Sequence, residues 1–426
     1  MYFSENIKPN KTEILLVTFL YSILPISYIA GSLIINLNFL IIDLAFIYAI
    51  IKNKDFPFKE LRKEIYLFLL IFFYILINSI TQYYYYNGRI FINDEGLIRS
   101  IGLIKYFLFY FASIYFFTVL KIQNNRILNF WTIILFIVII DVFFERINGH
   151  NLLNIKSPST ERISSFFGDE LIVGYFILSF GFISVANICE KINFKNSLNN
   201  NLIMGFLILL IPLSILITGE RSNFIKSLFI CIFVLLVVSK FKYKINLKML
   251  SAFFLIVITI VFFNSPNLKT RYLTTFEEIN KSLDDKNKNI FANSKHFYNY
   301  QLGYDIFKEN ILFGVSTKKF RWACKERKDL SEKMTSFGCS THPHQTYIEI
   351  LAEHGLIGFL LIFGSLFIFI KNRFKEFLKE QSLIKFSSVI FLISLLIPFL
   401  PFGSFFSTSA FSMIMVNLIV ARSIAK

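Results

Sequence analysis

Residues 202–240 read LIMGFLILLIPLSILITGERSNFIKSLFICIFVLLVVSK, and their pattern indicates the class of fold. Two apolar runs, 202–218 and 223–239, flank the short polar turn Gly219-Glu220-Arg221-Ser222. An α-helix rises about 1.5 Å per residue, so about twenty apolar residues cross the roughly 30 Å of hydrocarbon in a bilayer. The stretch is therefore predicted to form two membrane-spanning helices joined by a tight turn.

The rest of the chain repeats this apolar character. Hydrophobic residues make up 55% of the 426 residues, charged residues only 17%, and the mean hydropathy is +0.59. A soluble core of this size has no room for 54 Phe and 20 Tyr. The chain is therefore expected to be a polytopic membrane protein. A cytosolic enzyme, a nucleic-acid-binding domain and a small disulfide scaffold are excluded.

The expected fold is all-α, with about twelve transmembrane helices and one large loop outside the membrane. The first nine helices are expected within residues 1–264, the loop within 265–344 and the last three helices within 345–426. The apolar segment 13–51 is too long for one span and is expected to break near Gly31-Ser32. The remaining spans are expected at 65–82, 100–120, 127–144, 171–188, 202–218, 223–239, 249–264, 346–370, 386–402 and 405–421, of which the last two are interrupted by Pro398 and Pro401.

The basic residues predict the orientation of these helices. The chain has 44 Lys and Arg against 28 Asp and Glu, for a formal net charge of +16. With both termini on the cytoplasmic side, the short inside segments hold 22 Lys and Arg and the short outside loops only 7. Basic loops stay on the cytoplasmic face beside anionic lipid headgroups, so both termini are expected inside. These basic residues are therefore expected to contact membrane lipids, and no nucleic-acid partner is expected.

The long outside loop carries two of the four cysteines and a helix-like stretch at 299–310. Cys324 and Cys339 lie fifteen residues apart, and in an oxidising compartment they are expected to form a disulfide. Two free thiols are the alternative. Cys189 and Cys231 fall in or near predicted spans, where they are expected to pack as small apolar residues.

Four of the five histidines lie in this loop or at the start of the helix after it: His296, His342, His344 and His354. Pro343 suits the first turn of a helix, which Ser340 or Thr341 can cap. His344 then sits at a helix N-terminus, whose partial positive charge keeps an imidazole neutral. A neutral imidazole with a pKa near about 6.5 is suited to act as a general base. The alternatives are a histidine that merely caps the helix and a zinc site of His342, His344 and a cysteine, whose spacing matches no usual zinc pattern.

Basic residues near the outer face form a further group of candidates. Arg221 lies on the very short turn between two predicted spans, where it is rigid and faces outward. A guanidinium is suited to bidentate phosphate contacts and stays charged. For an isolated arginine, the alternative is a side chain that snorkels to the membrane surface. Similar positions near the outer face or in the long loop are held by Arg162, Arg271, Lys295 and Arg321.

Together these stretches resemble the O-antigen ligase and O-antigen polymerase superfamily of bacterial inner-membrane glycosyltransferases. The family pattern is His followed by Asn, Ser or Gln, then nine residues, then Gly-x-x-Gly, at the end of a large periplasmic loop. His344-Gln345, followed after nine residues by Gly355 and Gly358, matches it. The chain also resembles the family over Cys339–Pro343, Arg162–Gly168 and Lys308–Val315, and the similarity spans roughly 160–370.

The resemblance implies roles for single residues. The family usually has an arginine on a short periplasmic turn ahead of the large loop; Arg221 matches it and, with His344, is implied to be catalytic. Members often carry a second arginine in the loop, about eighteen residues before the glycine that matches Gly314. This chain has His296 there, beside Lys295, so the second phosphate-binding role falls to one of these two residues or to Arg271 or Arg321. The candidates for substrate binding are Arg162, Arg271, Lys295, His296, Arg321 and Gln345.

The resemblance also implies a reaction, with neither metal nor cofactor. The donor is a glycan on undecaprenyl diphosphate at the periplasmic face, and the acceptor is lipid A-core for a ligase or another lipid-linked glycan for a polymerase. Diphosphate leaves readily once arginines neutralise its charge, and His344 deprotonates the acceptor hydroxyl. No Asp-x-Asp pair occurs in the sequence. The alternative of another class is a transporter or flippase of lipid-linked sugars, which would place polar residues at the midplane instead of at one outer face.

Overall fold

The computed structural model describes residues 11–53, 56–81, 83–86, 89–92, 94–191, 198–241, 247–274, 295–327, 329–330 and 332–424, and these are mostly helical. The helices are α1 (Lys11–Ser22), α2 (Leu24–Ile29), α3 (Ser32–Asn53), α4 (Phe58–Thr81), α5 (Asp94–Ile101), α6 (Ile104–Ile114), α7 (Asn124–Asn148), α8 (Val173–Lys191), α9 (Leu198–Thr218), α10 (Arg221–Phe241), α11 (Leu247–Asn264), α12 (Pro266–Thr274), α13 (Lys295–Glu309), α14 (Phe320–Lys325), α15 (Glu332–Gly338), α16 (Thr346–Glu380), α17 (Leu383–Ser394) and α18 (Thr408–Ser423). A π-helical stretch, Tyr115–Val119, continues α6.

Within the described ranges, eight helices are long and apolar enough to cross a membrane, and a ninth qualifies if the bent pair α11 and α12 is one span. These two helices meet at 104°. The helical membrane fold is therefore confirmed, whereas the count of twelve spans stays a prediction. The remaining predicted positions hold the shorter helices α1, α2, α17 and α18. The predicted break in the N-terminal apolar segment falls at Gly31, whose φ is 98°.

The expected all-helical class is confirmed, with one short two-stranded exception that begins at Tyr83–Tyr86. These residues form strand β1, which pairs antiparallel with β2 (Arg89–Ile92). Tyrosine, isoleucine and phenylalanine favour the pleated backbone of a strand. The sequence between the two strands is Asn-Gly, the strongest short-range signal for a hairpin. The aromatic run therefore belongs to a small hairpin between α4 and α5.

Helix α8 lies at the centre of the bundle, packed against α7, α9 and α17. Of its membrane span, 89% is buried. Gly181 allows close packing, since a Cβ there would lie 2.9 Å from Ile211 Cγ2 on α9. Asn417 on α18 donates from Nδ2 to Ser179 Oγ at 2.8 Å. These contacts hold α9 and α18 against α8.

Two buried acids on α7 fix the loop that follows it. Asp141 accepts hydrogen bonds from Leu152 N at 2.7 Å and from Ser165 Oγ at 2.5 Å. Glu145 accepts one from Ser165 N at 2.8 Å. Because a buried carboxylate needs such donors, the loop is held against the bundle, and Arg162 is held with it.

The last two predicted spans, 386–402 and 405–421, are corrected by the structure. Helix α17 ends at Ser394, and α18 begins only at Thr408, capped by the Ser407 side chain, which accepts from Ala410 N. The chain between them is irregular and contains Pro398 and Pro401. Proline has no N–H and clashes with a preceding helical turn, so the helix cannot continue through these residues. The irregular segment instead forms a wall of the site.

Candidate active site

A cavity of about 1400 Å³ lies where five parts of the chain meet: the loop before α8, the turn before α10, the start of α13, the residues before α16 and the segment before α18. Six residues singled out from the sequence line it: Arg162, Arg221, Arg271, His296, His344 and Gln345. Arg321 is not among its lining residues, and its Nη2 lies 3.3 Å from Glu95 Oε2. Lys295 begins α13, and its side chain falls outside the described part of the chain.

The turn between α9 and α10 holds two arginines in fixed positions. Gly219 has a φ of 78°, and a Cβ there would lie 2.4 Å from Glu161 O, so glycine is required. Arg271 Nε donates to Gly219 O at 2.8 Å, and Arg271 Nη1 lies 2.6 Å from Glu161 Oε2. Arg221 Nη1 in turn donates to Arg271 O at 3.2 Å. Hydrogen bonds to backbone carbonyls therefore fix both arginines. Arg271 binds the turn that precedes Arg221, and Arg221 binds the carbonyl of Arg271.

Arg162 reaches the same end of the cavity from the loop after α7. Its Nη2 donates to Leu171 O at 2.6 Å and lies 3.7 Å from Glu220 Oε1. Glu220 is buried and also accepts from Gly174 N at 2.9 Å. Burial raises the pKa of Glu220, and the charge of Arg162 opposes that shift. Three guanidinium groups, those of Arg162, Arg221 and Arg271, thus border this end of the cavity, and Glu220 and Glu161 lie beside Arg162 and Arg271.

His344 lies just before α16, and the predicted cap of this helix is wrong. The helix begins at Thr346, and Gln345 is its N-cap, accepting from Ile348 N at 2.8 Å. Neither Ser340 nor Thr341 caps it, because His344 has a left-handed backbone with a φ of 59° that separates Pro343 from the helix. Phe402 N donates to His344 O at 2.9 Å and holds this conformation.

The imidazoles near the cavity have lowered pKa values, for a different reason from the one expected. Burial, and second the charge of His296, lower the pKa of His344 to about 4. Burial and then Arg221 lower the pKa of His296. Burial is also the first cause that lowers the pKa of His342, to about 3. The expected value near about 6.5 for His344 is therefore wrong, because removal of water disfavours the charged ring.

A kink in α16 positions the residues before it. Gly355 has φ 63° and ψ −168° inside the helix, so the backbone groups on both sides of the break need other partners. The segment after α13 supplies them. Leu356 N donates to Ile311 O at 2.8 Å, and Ser316 N donates to Glu353 O at 2.7 Å.

Glycines make this backbone crossing possible. A Cβ on Gly314 would lie 2.5 Å from the α16 backbone, and one on Gly355 would lie 2.3 Å from Leu312 O. A Cβ on Gly358 would lie 2.9 Å from Tyr74 Cε1 on α4. None of these glycines lines the cavity. The two glycines of the sequence motif therefore shape the helix that follows His344.

The segment between α17 and α18 connects the start of α10, which carries Arg221, to His344. Ser222 Oγ on α10 donates to Pro401 O at 2.5 Å. The next residue, Phe402, donates its N–H to His344 O, and its ring lies 4.4 Å from Lys226 Nζ. A short backbone path therefore fixes the distance between the two groups of the site.

Glu349, in the first turn of α16, holds the same segment from behind. This carboxylate is 1% exposed. It accepts from Ser404 Oγ at 2.7 Å and from Phe405 N at 3.0 Å. Lys318 Nζ also donates to Ser404 Oγ, at 2.6 Å. The carboxylate therefore positions one wall of the cavity without lining it.

The cavity also contains residues that sequence reasoning missed. Arg99 lines it, and its Nη1 donates to Thr408 Oγ1 at 3.3 Å. The position of Arg99 at the end of the predicted outside loop 83–99 could have identified it as a candidate. Tyr300 and Tyr347 also line the cavity, and no spacing in the sequence distinguishes them from the other tyrosines.

Cys324 and Cys339 are joined by a disulfide in the structure, with Cα atoms 5.5 Å apart. The bond ties α14 to the residue after α15. Beside it lies a small apolar core of the loop, which includes Leu302, Ile306 and Phe320. With both loop cysteines bonded, the alternative zinc site of two histidines and a loop cysteine has no free thiol to use.

Comparison with protein families gives a match to the model of the O-antigen ligase family over residues 205–363. This part of the chain is therefore similar to the O-antigen ligase family. The resemblance predicted from the sequence is thereby confirmed. The match covers a little over a third of the chain; Arg221, Arg271, His296 and His344 lie inside it, and Arg99 and Arg162 lie outside. No curated protein sequence matches the chain. An O-antigen ligase domain indicates glycosyltransferase activity on lipid-linked glycans in a membrane.

Proposed function

We propose that this chain transfers a glycan from undecaprenyl diphosphate to a hydroxyl of lipid A-core or a similar acceptor, at the periplasmic face of the bacterial inner membrane and without a metal ion. The observation that carries the proposal is that four arginines and His344 line one cavity. The family match supports the general class of reaction. The substrates and the side of the membrane are part of the proposal.

The arginine end suits the diphosphate of the donor. Arg162, Arg221 and Arg271 bring three guanidinium groups to this end of the cavity. A diphosphate matches their positive charge and accepts several N–H groups at once. As the glycosyl bond breaks, charge grows on the leaving phosphate oxygen, and guanidinium groups already fixed in place stabilise it.

His344 is the proposed base for the acceptor hydroxyl. In the part of the chain that the structure describes, no hydrogen bond reaches its ring nitrogens, so the ring is available to a substrate. Burial keeps the ring uncharged. The negative charge of a bound diphosphate favours a protonated ring, which counters the effect of burial when the donor is present.

The proposed topology follows from the same placement. We propose twelve membrane spans, with both termini in the cytoplasm and the segment 265–344 in the periplasm. The cavity has an apolar side that includes Ile172, Ile225 and Leu400. Such a surface is suited to the first units of a lipid tail. The sugar would then lie beneath the loop helices.

Two other reactions remain open to the same test. A polymerase would use a second lipid-linked glycan as acceptor. A flippase would move the donor without forming a new bond; polar residues gathered around one cavity at the helix ends favour an enzyme over this alternative.

The test is transfer in vitro from a defined undecaprenyl-diphosphate glycan, with lipid A-core and a second lipid-linked glycan offered separately. Glycosylated lipid A-core is expected, and an undiminished rate with a metal chelator supports the metal-independent reaction. A lengthened lipid-linked glycan would assign the polymerase reaction instead. Movement of intact donor across vesicles, with no new glycosidic bond, would overturn the proposal.

A further inference from the structure

Two imidazoles, those of His342 and His296, lie close to that of His344. The ring centroid of His344 lies 4.0 Å from that of His342 and 5.5 Å from that of His296. A general base that takes a proton in each cycle must pass it on before the next one. Both neighbouring imidazoles are close enough to His344 to be candidates for receiving it.

His342 is committed to other partners. Its Nε2 lies 3.4 Å from Phe402 O, and its Nδ1 lies 2.9 Å from Thr341 Oγ1. A carbonyl oxygen only accepts, so Nε2 carries the proton, and Nδ1 accepts from the hydroxyl. Because both ring nitrogens are used, His342 cannot take a proton from His344 without losing one of these hydrogen bonds.

His296 is placed differently. In the described ranges its buried Nδ1 has no hydrogen-bond partner, although buried polar atoms nearly always have one. The ring meets that of His344 edge-on at an interplanar angle of 76°. The charge of Arg221 also acts on His296, and both residues line the cavity. His296 therefore contacts the proposed base and lies near an arginine of the proposed diphosphate site.

We propose that His296 relays the acceptor's proton from His344 to the phosphate oxygen that is released when the glycosyl bond breaks. This inference rests on the proposed function. The acceptor oxygen bonds to the anomeric carbon as the bond from that carbon to the phosphate oxygen breaks with its electron pair. The proton passes from the acceptor to His344, then through His296 to the released oxygen. Over one cycle the protein neither gains nor loses a proton.

The surroundings of His296 suit a relay rather than a permanent cation. The charged and titratable groups closest to it are Arg221 on α10, His344 before α16 and Tyr300 on its own helix. The shared cavity is also lined by Arg99, Arg162, Arg271, Glu170, Glu220, Tyr175, Tyr304 and Tyr347. The nearby guanidinium charges disfavour a lasting positive charge on the ring, so a proton that arrives is passed on. The released phosphate, with a second pKa of about 6, accepts it.

The experiment compares His296→Gln and His296→Arg with wild type, by kcat and by KM for the donor. Gln keeps polarity and Arg supplies a permanent charge, but neither relays a proton at neutral pH. Both variants are expected to lose about 10²-fold in kcat, the lower end of what proton transfer contributes. The donor KM is expected to change less than kcat. Wild-type kcat in either folded variant would overturn the relay.

A second measurement covers variants that fold poorly. His296→Ala leaves a space, and added imidazole is expected to restore transfer several-fold, whereas added guanidinium is not. Rescue by guanidinium alone would mean that position 296 only binds phosphate, and would overturn the relay. The proposed function fails separately, if His344→Ala retains full transfer or if wild type forms no glycosidic bond.

Discussion

The two ends of the cavity differ in how their side chains are held. At the arginine end, Arg162 and Arg271 donate to backbone carbonyls at 2.6 and 2.8 Å and lie beside acids. At the imidazole end, no hydrogen bond to the rings of His296 and His344 is found among the described residues. A permanent charge is useful when it is fixed, and a proton carrier is useful when its nitrogens are free. The contrast predicts that the arginines set binding and the histidines set the chemical step.

His344→Ala gives the largest expected effect. Removal of the base is expected to lower kcat by about 10²–10⁴-fold, while donor binding changes little because the arginines stay in place. The measurement is the initial rate of transfer from a defined lipid-linked donor, with donor affinity determined in parallel.

The matched control is His150→Ala. This histidine is outside the cavity, and its Nδ1 contacts Asn151 O at 3.1 Å. Its replacement is expected to leave transfer near the wild-type rate. Equal activity of the two variants would remove His344 from the mechanism and the contrast between the two ends with it.

Arg221→Lys tests the other end with the charge conserved. Lysine cannot make the paired N–H contacts of a guanidinium, and hydrogen bonds to charged groups contribute about 1.5–3 kcal/mol each. Transfer is expected to fall about 10–100-fold, mainly through weaker donor binding.

Arg321→Lys is the control for this change. Its guanidinium faces Glu95 outside the cavity, so the rate is expected to stay close to wild type. If Arg221→Lys behaves like Arg321→Lys, then Arg221 is only an anchor at the membrane surface.

The sequence predicted the helices better than the site, for physical reasons. Each membrane-spanning helix can be recognised from its own residues alone, because about twenty apolar residues suffice to cross the hydrocarbon. The break at Gly31 was likewise local. The path of the chain after Pro398 was not, since a proline stops a helix without saying where the chain then goes.

The site itself depends on contacts between distant parts of the chain. The family motif singled out His344, and the charge pattern singled out Arg221, but nothing local placed His296 against His344. The left-handed backbone at His344 was also missed, because it is held by Phe402, which lies 58 residues away. The spacing of the glycines was recognised as a motif. Their role is to let the segment at Gly314 pass close to the backbone of α16, and this is visible only in the structure.

Gly355→Ala tests whether the kink in α16 sets the geometry of the imidazole end. A Cβ at this position meets Leu312 O, and alanine is strained at a φ of 63°. A strained residue costs on the order of 1–3 kcal/mol, so a lower melting temperature in detergent and an impaired rate of transfer are expected. Gly364→Ala, in the same helix, is the control, because a Cβ there meets nothing within 4 Å. Equal melting temperatures and rates in the two variants would contradict a role for the kink.

The pH dependence of kcat/KM for the donor is the finest test of the contrast. This ratio reports the free enzyme, in which burial and His296 lower the pKa of His344 to about 4. The base works when it is unprotonated, so a lowered pKa moves the acid limb to lower pH. The donor diphosphate is esterified at both ends and keeps its charge in this range. We therefore expect kcat/KM to be nearly constant from neutral pH downward and to fall only near about pH 4, whereas a limb near about pH 6.5 would show a solvated imidazole. The arginines stay charged throughout, so the limb does not report their titration. A limb that is absent from His344→Gln belongs to the imidazole end, whereas a limb that persists there belongs to an acid such as Glu220, whose pKa burial raises.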